Sequence, residues 1–243
     1  MNDWPYPAWV AHRGAGLIAP ENTLAAFRLG AQHGYRMFEC DAKLSSDGVV
    51  FLMHDARLNR TTNSEGLGGD RPWGELAQLD AGGWHSRVYA GEPLATLANL
   101  ARFCLANRYF LNIEIKPTPG SERRTGEVVA REAQRLWAGA APPLLTSFQP
   151  ESLAGARAVA PELPRGLLLD TLRSDWLYLA ASLECRAIVC NQLLWDEATV
   201  GKAKAAGMKC LSYTVNDPGS AQRLMALGTD GIITDAVDRF SPV

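Results

Sequence analysis

The stretch that decides the fold is Met37-Phe-Glu-Cys-Asp-Ala-Lys-Leu44. Apolar or small residues alternate in it with the charged residues Glu39, Asp41 and Lys43, and an alternation of period two is typical of a β-strand. Charges are costly inside a core strand unless they are paired or bound to an ion. The stretch therefore predicts a buried strand with a polar site on one of its two faces.

Similar short apolar runs alternate with helical patterns along almost the entire chain. This alternation is typical of a parallel sheet whose strands are connected by crossover helices. We predict eight strands, namely Trp9–His12, Met37–Leu44, Tyr109–Ile115, Leu144–Ser147, Gly166–Leu169, Ala187–Cys190, Met208–Tyr213 and Gly231–Thr234. Eight such units in 243 residues predict an α/β fold with one domain over residues 1–243, a (β/α)₈ TIM barrel.

Helical patterns occupy the intervals between these strands. The predicted helices are Asn22–His33, Thr96–Ala106, Gly126–Trp137, Pro150–Val159, Asp196–Ala206 and Pro218–Leu227. Asn22 is expected to cap the first helix, because its side-chain oxygen can accept a hydrogen bond from the first turn. Gly34, Gly207 and Gly228 each follow a helix, and we expect them to adopt the left-handed conformation that ends many helices.

The run Val49–His54 does not fit the barrel pattern. It follows the second strand after the link Ser45-Ser-Asp-Gly48, which is too short for a parallel crossover and contains the Asp-Gly signal of a hairpin. We therefore predict an antiparallel excursion from the second strand. Depending on which pair of link residues forms the turn, His54 lies opposite Glu39 or opposite Asp41. Either register brings an imidazole beside a carboxylate.

Residues 55–95 show no regular periodicity and are rich in Gly, Arg, Asp and Trp. The segment is too long for an ordinary connecting loop. It predicts a small insertion between the hairpin and the next helix rather than a separate domain.

A further acidic residue, Glu114, lies on the third predicted strand, and its polar face continues to Lys116 directly after the strand. With Glu39 and Asp41 on the neighbouring strand, Glu114 completes a set of three carboxylates. Mg²⁺ and Ca²⁺ prefer such oxygen ligands, whereas Zn²⁺ favours His and Cys. The set predicts a site for a divalent cation, and the alternative is a network of ion pairs in which Lys43 and Lys116 neutralise the acids.

Two histidines fall at positions where they can reach this set. His12 and Arg13 end the first strand, at the end of a barrel where active sites lie, and His54 and Asp55 close the hairpin. Two imidazoles near a metal, together with Arg13 and Lys116, are suited to cleaving a phosphate ester. One histidine takes a proton from the nucleophile and the other donates one to the leaving alkoxide, while the cations stabilise the phosphoryl oxygens.

The composition excludes several other classes of protein. The formal net charge is -2 and there is no basic stripe, so we expect no nucleic-acid partner. The first residues show neither the basic start nor the apolar run of a signal peptide, and no stretch approaches the roughly 18 apolar residues of a membrane span, so we expect neither feature. Its five cysteines are scattered, without a CxxC pair, which favours buried reduced thiols. We expect a cytoplasmic protein without stable membrane association; its oligomeric state is left open.

Taken together, these motifs resemble the glycerophosphodiester phosphodiesterase family over essentially the whole chain. The matching segments are His12-Arg-Gly14, Pro20-Glu-Asn-Thr23, Glu39-Cys-Asp41, Asp47-Gly48, His54-Asp55, Glu114-Ile-Lys116, Thr214-Val-Asn216 and Thr234-Asp235. The chain particularly resembles the short cytoplasmic bacterial enzyme of this family that is associated with glycerol-phosphate uptake. Two segments support this closer match, Trp4-Pro-Tyr-Pro7 near the start and Trp137-Ala-Gly139.

The resemblance implies an activity and assigns roles to residues. Family members use Mg²⁺ or Ca²⁺ to release glycerol 3-phosphate from deacylated phospholipids, so the implied partner is a small glycerophosphodiester. The implied metal ligands are Glu39, Asp41 and Glu114, the catalytic residues His12 and His54, and the phosphate contacts Arg13 and Lys116. Phe148 and Tyr213 are predicted to contact substrate; family members often have Trp at the position of Tyr213, which leaves the substrate preference open.

Two other functions are compatible with these residues. A lipid-cleaving phosphodiesterase of the phospholipase C or D type would need an exposed apolar rim, and the insertion supplies Trp73, Trp84 and Tyr89 among many charges. A non-catalytic binding module on the same barrel is the third possibility, because a fold does not establish a function.

Overall fold

Eight parallel strands close into a barrel in the computed structural model, which describes residues 4–242. The strands are β1 (Trp9–Ala11), β2 (Met37–Leu44), β3 (Val50–Leu52), β4 (Phe110–Ile115), β5 (Leu144–Ser147), β6 (Arg165–Leu169), β7 (Ala187–Asn191), β8 (Lys209–Tyr213) and β9 (Gly231–Thr234). All except β3 form the ring, which closes where β1 pairs with both β2 and β9. The predicted TIM barrel is confirmed, with every predicted strand end within one residue of the observed one.

Helices surround the barrel. They are α1 (Leu24–Gln32), α2 (Trp73–Leu76), α3 (Leu97–Asn107), α4 (Glu122–Leu136), α5 (Pro150–Val159), α6 (Trp176–Ser182), α7 (Glu197–Ala205) and α8 (Pro218–Ala226). Helices α2 and α6 were not predicted, because elements of four and seven residues are too short to display a helical period. Helix α4 begins before the predicted Gly126, since its first turn consists of charged residues that hide the apolar pattern.

The start of α1 corrects one prediction. Thr23, not Asn22, is the N-cap, and its hydroxyl accepts a hydrogen bond from the backbone of Ala26. Asn22 adopts a left-handed backbone with φ 61° and binds Asp41 instead, donating from Nδ2 at 2.8 Å and accepting from the Asp41 backbone at 3.0 Å. The predicted left-handed conformations of Gly34, Gly207 and Gly228 are confirmed.

The hairpin of β2 and β3 is confirmed, but both expected registers were wrong. Leu52 pairs with Ala42, so that a continued register would place His54 opposite Cys40, between the two expected partners. The reason is a turn of three residues: Ser45 donates its backbone N–H to Val49, and Gly48 adopts φ 85°. Both expected registers assumed a turn of two residues, and a third turn residue shifts the residue opposite His54 by one position.

The alternation along β2 determines where its charges lie. Met37 belongs to the apolar cluster that fills the barrel interior, whereas Phe38 and Cys40 pack between the sheet and the helices. Residues of odd number therefore face the interior, with Met37 at the amino end and the acids Glu39 and Asp41 toward the carboxyl end of the strand. This places both carboxylates at the end of the barrel where the βα loops meet.

Residues 55–95 pack against the face of the hairpin that carries Phe51, opposite to the face that packs on the helices. A small apolar cluster joins Phe51 and Met53 of the hairpin region to Leu58, Leu76 and Leu94 of the insertion. All five cysteines are buried and free. Among the described helices, none has both the length and the apolar character that crossing a membrane requires. Met1–Asp3, at the start of the segment considered for a signal peptide, lie outside the described residues.

Candidate active site

A cavity of about 280 Å³ opens at the carboxyl end of the barrel. Eight of the nine site residues predicted from the sequence line it, and the ninth, Asp41, is fully buried. They come from six different regions of the chain, which the closure of the barrel brings together. The lining residues for which the sequence predicted a role are His12, Arg13, Glu39, His54, Glu114, Lys116, Phe148 and Tyr213.

Three buried carboxylates converge beside the cavity. Ligand oxygens of Glu39, Asp41 and Glu114 all lie within 4.8 Å of one another. The pairing of β2 with β4 explains this, since it places Asp41 directly opposite Glu114. Buried Glu39 Oε1 and Asp41 Oδ1 have no hydrogen-bond partner among the described residues. Buried acceptors without partners are unfavourable, so these oxygens fit ligation of a metal ion.

Electrostatics support the same conclusion. Burial and the nearby charge of Asp41 raise the pKa of Glu39 to about 8, and the same two causes raise the pKa of Glu114. Burial also opposes ionisation of Asp41, but the cations Arg13 and Lys116, with His54, hold its pKa at about 2. Glu39 and Glu114 therefore lack sufficient compensating positive charge, which a divalent cation would supply.

The alternative network of ion pairs is only partly present. Lys116 Nζ lies 2.9 Å from Glu114 Oε1 and 4.0 Å from Asp41 Oδ1. Lys43, however, donates from Nζ to the backbone carbonyl of Lys116 at 2.9 Å and forms no ion pair with an acid within residues 4–242. Burial lowers the pKa of Lys43 to about 8. Neither Lys43 nor Lys116 therefore forms an ion pair with Glu39.

His12 is oriented by Asp235. Its Nδ1 donates to Asp235 Oδ1 at 2.6 Å, which leaves Nε2 on the side of Glu39, 3.7 Å from Oε2. Asn216 in turn holds Asp235 by donating from Nδ2 and by accepting from its backbone N–H. Burial lowers the pKa of His12, but the hydrogen bond to Asp235 and the charge of Glu39 outweigh it, so that the pKa is raised.

His54 is oriented by its neighbour Asp55, as expected from the sequence. The ring donates from Nδ1 to Asp55 Oδ1 at 2.7 Å. Burial dominates here and lowers the pKa of His54. The two imidazoles of the cavity therefore have pKa values shifted in opposite directions, an arrangement typical of paired acid and base groups.

The remaining predicted residues surround the cavity with positive charge and aromatic rings. Arg13 Nε lies 3.2 Å from Asp41 Oδ2, and its Nη1 donates to Glu21 at 2.9 Å. Lys116 Nζ lies 5.6 Å from the ring centre of Phe148, within range of a cation–π interaction. Phe148 meets Tyr213 edge to face, with ring centres 5.7 Å apart.

A sequence model of the glycerophosphoryl diester phosphodiesterase family matches residues 12–239. The chain belongs to this family. A glycerophosphodiester phosphodiesterase of Caldanaerobacter subterraneus subsp. tengcongensis is 31% identical over 232 residues, which cover 93% of each chain. A phosphodiesterase of Oleispira antarctica, solved with the product sn-glycerol-3-phosphate, has a TM-score of 0.91 and 35% identity and covers 96% of this chain and 95% of its own. A glycerophosphodiester phosphodiesterase of Agrobacterium tumefaciens has a TM-score of 0.80 and 29% identity, with coverage of 98% and 100%.

Membership of the glycerophosphoryl diester phosphodiesterase family makes the chain an enzyme rather than a non-catalytic binding module. The structure also shows contacts that the sequence did not predict. Asp235 and Asn216 lie in matched motifs, but nothing in the sequence linked them to His12. Glu21, within the Pro20-Glu-Asn-Thr23 motif, and Arg60 were not assigned a role, and both contact predicted site residues or their partners.

Proposed function

We propose that this glycerophosphodiester phosphodiesterase hydrolyses soluble glycerophosphodiesters to sn-glycerol 3-phosphate and an alcohol. The observation that carries the proposal is a single cavity that His12 and His54 line together with Glu39 and Glu114, beside the buried third carboxylate of Asp41. The product in the Oleispira antarctica structure is consistent with it. A cavity of about 280 Å³ is large enough for the glycerol phosphate part of such a substrate.

The residues that would hold a divalent cation are Glu39, Asp41 and Glu114. Their oxygen donors favour Mg²⁺ or Ca²⁺ over softer metals. When bound, such an ion supplies charge stabilisation at the phosphoryl oxygens. Arg13 and Lys116, which line the cavity and both lie within 4.0 Å of Asp41, would contact the phosphate directly and neutralise its charge.

His12 and His54 would share the acid and base roles. Nδ1 of each ring is hydrogen-bonded to a carboxylate, so Nε2 is the atom that would accept or donate a proton during the reaction. One ring would take the proton of the attacking hydroxyl, and the other would donate a proton to the oxygen of the departing alcohol. Phe148 and Tyr213 would form an apolar wall against the carbon atoms of the substrate.

Two nucleophiles are compatible with this arrangement. If the glycerol 2-hydroxyl attacks phosphorus, a cyclic phosphate forms and is opened by water with the two proton-transfer roles exchanged. If water attacks directly, no cyclic intermediate forms. A substrate analogue that lacks the 2-hydroxyl separates them, because only direct attack by water allows its turnover.

The activity is tested by measuring glycerol 3-phosphate released from glycerophosphocholine, glycerophosphoethanolamine and glycerophosphoglycerol by the purified protein. We expect release that EDTA abolishes and that Mg²⁺ or Ca²⁺ restores. Inactivity on the entire panel, despite a folded and metal-loaded protein, would contradict the proposal.

One observation favours the lipid-cleaving alternative. Leu17, Trp84 and Val88 are 74%, 40% and 87% exposed, and His85 Nε2 links the insertion to the backbone carbonyl of Leu17 at 3.1 Å. Trp73 and Tyr89, in contrast, are half-buried. Activity on micellar lysophospholipid is therefore compared with activity on glycerophosphocholine, and a clear preference for the micellar substrate would favour the alternative.

A further inference from the structure

Arg60 connects the insertion with the active site. Its guanidinium binds two carboxylates at once, each through two hydrogen bonds. Nε and Nη2 donate to Asp55 at 2.7 and 3.1 Å, while Nη1 and Nη2 donate to Glu21 at 2.7 and 2.8 Å. The Asp55 carboxylate follows the hairpin, whereas Glu21 lies in the loop between β1 and α1, so this one side chain ties together two loops at the mouth of the barrel.

Each of the two carboxylates also holds a residue of the cavity. Asp55 Oδ1 accepts from His54 Nδ1 at 2.7 Å, and Glu21 Oε1 accepts from Arg13 Nη1 at 2.9 Å. Arg60 is therefore one side chain removed from an imidazole on one side of the mouth and from a guanidinium on the other. It does not line the cavity itself.

We propose that Arg60 is a positioning residue, which fixes the ring of His54 through Asp55 and the guanidinium of Arg13 through Glu21. This inference rests on the proposed function, since it assigns Arg60 to the same reaction. The insertion thus contributes to catalysis through the arrangement of two groups that it does not itself contain.

The geometry requires arginine at this position. A planar guanidinium offers five donors in a fixed fork and can bind two carboxylates side by side, whereas an ammonium group cannot form both bidentate pairs. Without Arg60, Asp55 loses two of its three side-chain hydrogen bonds and can rotate, and Glu21 retains, among the described residues, only its bond with Arg13. A displacement of the imidazole by about 1 Å is enough to lower the rate about 100-fold.

The test measures kcat and KM with glycerophosphocholine for the full-length metal-loaded protein and for Arg60→Gln. We expect kcat to fall about 10- to 100-fold and KM to rise, because both His54 and Arg13 lose their fixed positions. The matched control is Arg57→Gln, an exposed arginine in the same segment that forms no ion pair in the described part of the chain, and it should retain the wild-type values. A wild-type kcat for Arg60→Gln would overturn the inference.

A second comparison separates positioning from a general structural effect. In a His54→Ala background, Arg60→Gln should lower kcat by less than about 3-fold, because the ring that Arg60 positions through Asp55 is absent, whereas the rise in KM that comes through Glu21 and Arg13 should remain. An equal loss in both backgrounds would contradict the inference. Arg60→Lys keeps a positive charge without the fork and should have a kcat between wild type and Arg60→Gln; if Arg60→Gln fails to fold, full activity of Arg60→Lys overturns the inference. Inactivity of the wild type would instead count against the proposed function.

Discussion

Each imidazole in the cavity has a carboxylate of its own. His12 donates to Asp235 and His54 to Asp55, over 2.6 and 2.7 Å. Burial lowers the pKa of both rings, but Asp235 and Glu39 outweigh it at His12, whereas it prevails at His54. The two rings are therefore not interchangeable, and we expect each to carry a different proton transfer.

Replacing either ring tests this division of roles. His12→Ala and His54→Ala should each lower kcat by about 100-fold or more, since general acid–base catalysis contributes that much. Steady-state assays with glycerophosphocholine measure the effect, and the exposed His33 provides a matched control, His33→Ala, with an unchanged kcat. A variant at His12 or His54 that keeps the full rate removes that residue from the mechanism.

The sequence identified site residues where a local pattern marked them. Alternation along β2 predicted Glu39 and Asp41, and the end of β1 predicted His12. Asp235 and Arg60 carried no such pattern, because His12, the partner of Asp235, and Glu21, one of the two partners of Arg60, lie far away in the chain. His12 and Asp235 are separated by 223 positions, and Arg60 and Glu21 by 39, so only the closed barrel and the packed insertion bring them together.

At the scale of elements, the metal-compatible site depends on the pairing of two strands. Strand β2 supplies two acids and β4 supplies the third, in a register that puts Asp41 opposite Glu114. A shift by one residue would turn these side chains to the outer face. Three buried carboxylates so close together destabilise the metal-free protein. Glu39 is therefore expected to favour binding of the cation while lowering the stability of the metal-free fold.

Glu39→Gln should stabilise the metal-free protein and weaken metal binding. The pKa of Glu39 is about 8 in the folded chain and roughly 4.3 in an unfolded one, so ionisation destabilises the fold increasingly as the pH rises from 4 to 8. We expect a gain on the order of 2 kcal/mol at pH 7 and none below pH 4, where both states are protonated. Thermal unfolding in EDTA at both pH values measures it.

The same variant should bind Mg²⁺ or Ca²⁺ at least about 10-fold more weakly by calorimetry. The exposed Glu65 gives the control Glu65→Gln, which should change neither the stability nor the affinity. If Glu39→Gln destabilised the metal-free protein at pH 7, the carboxylates would not be repelling one another as described.

The elements themselves could be predicted well, but their exact pairing could not. Short apolar runs identified most of the barrel strands, because both faces of a parallel strand are buried, and an alternation of apolar with polar residues identified β2 and β4. The hairpin register was missed because the turn contains three residues rather than two, with Gly48 in the left-handed region. Helix α6 was missed because seven residues do not establish a period.

At the scale of the whole molecule, we propose that the insertion and the barrel form one folding unit. The apolar cluster of residues 55–95 is completed by Phe51 and Met53, which belong to the hairpin region of the barrel. Glu92 also accepts a hydrogen bond from the backbone of Ala25 at the start of α1, at 3.0 Å. The insertion therefore buries its apolar residues only while the barrel is folded.

Calorimetric unfolding should accordingly show a single transition, with the calorimetric and van't Hoff enthalpies equal. Two resolved transitions, one of them with the small enthalpy expected for about 40 residues, would show that the insertion unfolds independently. Unfolding in the presence of Mg²⁺ should move the single transition to higher temperature, since the cation binds only the folded state.

We propose that catalysis depends on three acids from β2 and β4 that together bind one cation within reach of both imidazoles. A crystal grown with Mn²⁺ and sn-glycerol 3-phosphate would locate that cation by its anomalous scattering. We expect one strong peak about 2.0–2.6 Å from an oxygen of each of Glu39, Asp41 and Glu114, with the phosphate between His12 and His54. An empty carboxylate cluster closed by Lys116, or a phosphate bound away from both rings, would contradict it.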